Sequence, residues 1–237
     1  MIYNIEELLT NNPYPGRGII IGCSEDSERS IIVYFIMGRS ENSRNRIFER
    51  TNDGIRTAAY DLSKLTDPSL VIYHPIRKTD GKTIVTNGDQ TDTIYDHLKQ
   101  GFDFRKALQT REFEPDAPNY TPRISALVEP CGAYTFSILK TMVNDPNHCQ
   151  RNFYEYAKAK PGLGHFISTY NTDGDPLPSF IGEPIPINIK DSHDIKAFVQ
   201  NIWTALNEEN KVSLYAKERN LKTHEVTDII INKHTGG

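Results

Sequence analysis

Residues 18–37 read GIIIGCSEDSERSIIVYFIM, two apolar runs separated by a short charged turn. Both runs are brief and rich in Ile, Val, Tyr and Phe, which suits buried strands, and the Ser/Glu/Asp/Arg turn between them suits a β-hairpin with a longer loop. The pairing decides the fold class, because nothing helical separates the two strands. Consecutive strands, then helices, then more strands give an α+β chain with antiparallel sheets, not the alternation of a doubly wound fold. The glycines of PGRGIIIG (15–22) flank a strand instead of linking a strand to a helix, so a dinucleotide or P-loop fingerprint is excluded.

Working outward, NIEELLTNNPYPGRG (4–18) reads as a short helix stopped by Asn and Pro, with a tight turn at 16–18. SLVIYHPI (69–76) reads as a buried strand stopped by Pro75, KTIVTNG (82–88) as a strand ending in a turn, and DTIYDHLKQGFDFRKAL (92–108) as helix with a glycine interruption. REFEPDAPNYTPRISALVEP (111–130) is extended, GAYTFSILKTM (132–142) is strand-like and RNFYEYAKA (151–159) is compatible with a helix. Residues 160–187 are Gly/Pro-rich. In SHDIKAFVQNIWTALN (192–207), Ile195, Phe198, Val199, Ile202 and Leu206 form the apolar stripe of an amphipathic helix, with Trp203 in the core. The close, 211–234, is strand-like at both ends. No linker or repeat divides the chain, so one domain over 1–237 is expected.

A net charge of −4 over 237 residues argues against a global basic surface for nucleic acid. No apolar run approaches bilayer length, and a cytoplasmic protein without membrane contact is expected. Cys23, Cys131 and Cys149 are an odd, widely spaced set that suits reduced thiols better than a disulfide framework or a zinc site. His148 beside Cys149 could suggest a base and nucleophile, but neighbours on a chain point apart and NDPNHC (144–149) reads as a turn.

Four patches are more polar than their contexts need. In RSENSRNR (39–46) three guanidiniums stand among hydroxyls and amides with only Glu41 to offset them. Arg44 and Arg46 would project to one side if the chain is extended, as a bidentate phosphate site requires, although a solvated loop would carry the same residues. In TNGDQTD (86–92), Asn87 and Gly88 make a turn, and Thr91 or Asp92 could be a helix N-cap, an anion site, or both. In REFEPDAPNYTPRI (111–124), Glu112 and Glu114 share a face if extended, with Phe113 turned inward, and Thr121 and Arg123 share another. Two carboxylates so close would raise one pKa toward proton-transfer use, unless they simply decorate an edge strand. The aspartates of STYNTDGDPLPSF (168–180) lack the ligand series and closing glutamate of a calcium loop.

Taken in order, YPGRGIIIG, GRSENSRNR, VIYHPI, TNGDQTD and FEPDAPNYTPRI resemble the archaeal-type IMP cyclohydrolase family, from about Pro15 to Ile124 and more weakly to about Pro184. The resemblance implies a four-layer αββα sandwich like that of the N-terminal nucleophile hydrolases. It also implies closure of formamidoimidazole-carboxamide ribonucleotide (FAICAR) to inosine monophosphate (IMP) with loss of water, with no cofactor and no metal. It points to Arg39 and Arg46 as ligand anchors within a binding set that includes Ser40, Arg44 and Asn45, to Tyr73 as a hydrogen-bond donor or proton shuttle, and to Glu112 and Glu114 as acid/base groups. Asn87, Asp92, Thr121 and Arg123 would shape the pocket. The implied partners are a purine ribonucleotide and further copies of the chain as a homo-oligomer. Two rivals stand beside this reading. One is a nucleotide-binding protein without the proton chemistry. The other is an amide hydrolase on the same fold, which Met1 and Ile2, offering no terminal Ser, Thr or Cys, disfavour.

Overall fold

The hairpin forms as its sequence requires: β1 (Arg17–Cys23) and β2 (Arg29–Met37) pair antiparallel with Ile20 opposite Val33. A computed structural model describes residues 1–65, 68, 71–189 and 194–236. Four more strands extend the hairpin: β10 (Leu163–Ser168) and β11 (Ile185–Asn188) beyond β1, and β12 (Lys211–Asn220) and β13 (Val226–Asn232) beyond β2. A second sheet runs in chain order through β3 (Arg46–Arg50), β4 (Gly54–Ala59), β5 (Ile76–Thr79), β6 (Lys82–Thr86), β7 (Arg123–Val128), β8 (Tyr134–Met142) and β9 (Asp145–Tyr156). Every pairing within the two sheets is antiparallel, and the fold is α+β.

Alternation along β2 explains its unbroken apolar run. Ile31, Val33, Phe35 and Met37 face helices α1 (Ile5–Thr10) and α5 (Ile195–Ala205), meeting Leu9, Phe198 and Ile202. Ile32, Tyr34 and Ile36 face the second sheet, meeting Phe48, Ile55, Val85 and Phe136. Both faces are dry, so both carry large apolar side chains. A third cluster, with Ile84, Leu127 and Leu139 from the second sheet, seats α3 (Gln90–Lys99) and α4 (Phe104–Gln109) on that sheet's outer face through Ile94, Phe104 and Leu108. One more helix, the single turn α2 (Glu41–Arg44), joins β2 to β3.

Six features depart from, or add to, what the sequence predicts. SLVIYHPI is not a strand. Ser69 and Leu70 lie outside the described residues, and 71–75 are turn and loop, tied to β4 where the Thr57 amide donates to the Tyr73 carbonyl at 2.9 Å. RNFYEYAKA is largely the second half of β9, whose Phe153, Tyr154 and Tyr156 prefer the pleated surface to a helix. Within NDPNHC only Asn144 belongs to a turn. Val143 and Asn144 (φ 53° and 61°) close the β8–β9 hairpin, and His148 and Cys149 are strand residues, with His148 Nδ1 2.7 Å from Asp145. Residues 160–187 contain β10 and the start of β11. Arg17 already begins β1, so the tight turn is confined to Gly16 (φ 76°), where a Cβ would collide with Thr169 and Tyr170. Asp89, not Thr91 or Asp92, holds the N-cap position of α3. Among the described residues no helix is long and apolar enough to cross a membrane, and all three cysteines are free.

Candidate functional site

Both sheets turn polar side chains into one buried region. Arg17 at the start of β1 and Tyr34 in β2 come from the first sheet. Arg46 at the start of β3 and Arg123 at the start of β7 come from the second. Between them the loop before β7 inserts Glu114, 2% exposed, whose amide donates to the Thr121 carbonyl at 2.9 Å.

Asn87, fully buried after β6, organises the carboxyl. Its Nδ2 donates to Glu114 Oε1 (3.2 Å) and the Pro122 carbonyl (3.0 Å), while its Oδ1 accepts from the Ile124 amide (2.8 Å) and Gln90 Nε2 (2.9 Å). Arg123 Nη1 donates to Gln90 Oε1 at 2.7 Å and pairs with Asp89, also at 2.7 Å. Gly88 makes the closeness possible, since a Cβ there would stand 2.7 Å from Arg123 Nη1 and from Gln90 Oε1. Arg17 Nη2 lies 4.0 Å from Glu114 Oε2.

Burial pushes the Glu114 carboxyl up to about 7, against the pull of Arg17 and Arg123, with Asp116 adding to the rise and Arg46 opposing it. The Tyr34 and Tyr73 hydroxyls are 2.8 Å apart, and burial beside Tyr73 carries Tyr34 well above the ordinary phenol range. Burial lowers Arg46, 1% exposed, from the usual guanidinium value; nearby Tyr73 opposes the shift and Arg17 adds to it. On the far side Tyr170, pushed up to about 12 chiefly by burial, lies 2.5 Å from Thr121 Oγ1, and Thr121 in turn donates to Asp116.

Arg46 donates from Nε to the Ser43 carbonyl (2.7 Å) and from Nη2 to the Met37 carbonyl (3.3 Å). Its Nη1 is buried without a hydrogen-bond partner among the described residues, as are Arg17 Nε and Arg123 Nε. Buried donors without acceptors are uncommon because each costs free energy, and three in one cluster make a ready receptor for anionic oxygens.

Of the residues expected at a site, the structure brings together Tyr73, Glu114, Arg46, Asn87, Thr121 and Arg123. The others stand apart. Glu112 is exposed beside Arg151 (3.6 Å), and Phe113 is half-buried against Tyr120 instead of in the core. The segment is irregular, with a bend at Phe113 and a turn at 117–119, and it exposes Glu112 while burying Glu114. Arg44 and Arg46 diverge because Arg44 ends α2 while Arg46 begins β3. Arg44 bonds the Gly38 carbonyl (2.9 Å) and Asn210 (3.0 Å), Ser40 caps α2, and Asn45 clips Asp61 through two backbone hydrogen bonds. Arg39 sits at the surface, paired with Asp173 at 2.7 Å and 5.1 Å from the ring centre of Tyr14, which stacks on Tyr170. Asp92 pairs with Arg77 at 3.0 Å.

The sequence patterns do not mark Arg17, Tyr34, Asp89, Asp116 or Tyr170, and they mark Gln90 only as an amide ahead of a helix. Arg17 lay hidden in a glycine turn, and Tyr34 inside an apolar run, where a phenol needing a partner was the only signal. Among the described residues no three His, Cys, Asp or Glu side chains gather as metal ligands.

A family model described as IMP cyclohydrolase-like protein matches residues 14–224. The IMP cyclohydrolase of Methanococcus aeolicus is 26% identical over 161 residues, covering 66% of this chain and 74% of the relative. That of Methanopyrus kandleri is 30% identical over 161 residues, covering 66% and 75%. The family match continues a hundred residues past Ile124 and beyond Pro184, to residue 224. Over most of its length, from the strand that carries Arg17 to the end of β12, the chain belongs to the IMP cyclohydrolase-like protein family.

Proposed function

We propose that the chain is an IMP cyclohydrolase that closes FAICAR to IMP with loss of water. The observation that carries this reading is Glu114, a buried carboxyl poised near neutrality among three guanidiniums that each have a buried nitrogen without a hydrogen-bond partner among the described residues. Ring closure makes the carboxamide nitrogen attack the formyl carbon and then expels the formyl oxygen as water, with one proton from the carboxamide nitrogen and one from the formamido nitrogen. A carboxyl titrating near pH 7 can accept the first proton as a base and return it to the departing oxygen as an acid. Tyr73, linked to Tyr34, donates to the formyl oxygen as charge develops there. Arg46 anchors the phosphate through its unused Nη1, while Arg17 and Arg123 hold Glu114 and face the reacting oxygens. Asn87 and Thr121 fix the carboxyl and the far wall. Holding both arms of one molecule in reach supplies much of the acceleration.

On this reading residues 1–237 are one IMP cyclohydrolase-like domain of the αββα type found in N-terminal nucleophile hydrolases, working in the cytoplasm as a homo-oligomer. Helices on the outer faces of two packed sheets support the layering. The test is to mix pure protein with FAICAR and follow IMP formation by ultraviolet absorbance. Turnover is expected. Tight IMP binding without turnover would replace the enzyme with a nucleotide-binding protein.

A further inference from the structure

Residues that follow the family match are attached on both sides of Arg46. The match ends at residue 224, and β13 begins at Val226. Among the described residues β13 pairs in the first sheet only with β12, yet its side chains reach across to β3, the edge strand of the second sheet. Asn232, 8% exposed, acts as an artificial strand partner. Its Oδ1 accepts from the Phe48 amide at 2.8 Å, its Nδ2 donates to the Phe48 carbonyl at 3.1 Å, and Ser213 Oγ donates to the same Oδ1 at 2.7 Å. Asp228 pairs with Arg50 at the other end of β3. His234, in the helical turn Lys233–Thr235, stands with Nε2 2.9 Å from the Arg44 carbonyl, and its ring stacks on Tyr60 at 4.5 Å and 10°.

These attachments bracket one residue. Arg44 is the last residue of α2, Phe48 lies two residues beyond Arg46, and Tyr60 follows Ala59, the cross-strand partner of Arg46. The Arg46 guanidinium is aimed by the carbonyl of Ser43, itself in α2. A shift of α2 therefore moves the anchor of Nε and with it the unused Nη1.

We infer that residues 226–235 form a strap across the edges of the two sheets, and that its Asn232 and His234 are positioning residues that hold the Arg46 anion anchor in place. The inference rests on the proposed function for its ligand, but not for its geometry. A polar side chain that satisfies both backbone groups of a strand edge fixes that edge more firmly than apolar packing, because losing it leaves two buried groups unpaired. A ring stacked at one face and bonded at its edge has little freedom to let α2 drift.

The test uses His234→Ala, an exposed side chain whose loss should spare the fold, with Asn232→Ala beside it. Isothermal titration with IMP is expected to give a Kd raised about five- to tenfold for His234→Ala and more for Asn232→Ala, while kcat with FAICAR changes less than twofold for either. A residue acting only on global stability would lower the active fraction and leave Kd alone. In a double-mutant cycle, adding His234→Ala to Arg46→Ala should cost nothing further, since the strap works through Arg46. Additive losses, or an unchanged Kd in both single variants, overturn the inference. Amide hydrogen exchange decides independently of activity: His234→Ala should speed exchange at 43–48 and leave 123–128 as before, and equal protection at 43–48 would overturn it too. If the unaltered protein neither binds IMP nor turns over FAICAR, the proposed function fails, and the exchange result still decides the strap.

Discussion

The Tyr34 and Tyr73 hydroxyls meet at 2.8 Å, one from the middle of β2 and the other from the loop preceding β5. Tyr34 is fully buried, so Tyr73 is the partner that makes its phenol tolerable there. Tyr73→Phe is expected to lower kcat about a hundredfold, the low end for loss of a proton donor. It should also destabilise the fold by about 1–3 kcal/mol through the stranded Tyr34 hydroxyl. Tyr34→Phe/Tyr73→Phe should regain most of the stability and none of the activity. Thermal melts and steady-state kinetics on the three proteins check this.

Glu114 couples stability to pH in a stated direction. Its carboxyl titrates near 7 in the fold and near 4.5 when unperturbed, so between those values the native state holds a proton that the unfolded chain has released. Stability therefore falls as pH rises through that window and levels off above it. Glu114→Gln removes the slope: its stability relative to the parent should grow by about 3 kcal/mol from pH 4.5 to 8, read from urea melts. The same substitution should cost kcat at least a hundredfold and erase the limb of the kcat/KM profile near pH 7.

Arg46→Ala should raise KM for FAICAR by tenfold or more with a smaller fall in kcat, because a buried, charge-assisted contact to the ligand is lost. Arg39→Ala should change KM less than threefold, since Arg39 is already engaged with Asp173 at the surface. A larger effect from Arg39 than from Arg46 would relocate the anion site to the rim.

Alkylation separates the cyclohydrolase from an amide hydrolase with a cysteine nucleophile. Cys131 is exposed, whereas Cys23 is 3% exposed and its thiol is pushed up by burial and by Asp26. Iodoacetamide should label Cys131 first, and turnover of FAICAR should survive complete labelling there. Inactivation in step with labelling of either thiol would bring the nucleophile back into contention.

The hairpin at 18–37, the helices around 94–108 and 195–205 and the closing strands were legible because their apolar periodicities are long and clean. RNFYEYAKA was not, since its Ala and Lys favour a helix while its aromatics serve a pleated face chosen by the β8 hairpin partner. Within the site, Glu114 and Arg123 could be picked out as polar groups near a strand start. Glu112 could not be told from Glu114, because only the bend at Phe113 in an otherwise irregular segment buries one and exposes the other. Arg17 and Tyr34 needed the packing of one sheet on the other, a non-local fact that no short window holds.

Because the first sheet contributes Arg17 and Tyr34 while the second contributes Arg46 and Arg123, neither sheet alone carries a working half. The proposed reactive cluster comes into being only when the two sheets dock, so on that proposal chemistry is a gauge of docking. Damage to the apolar seam between them, at Phe136 for example, should silence turnover while circular dichroism still registers intact strands.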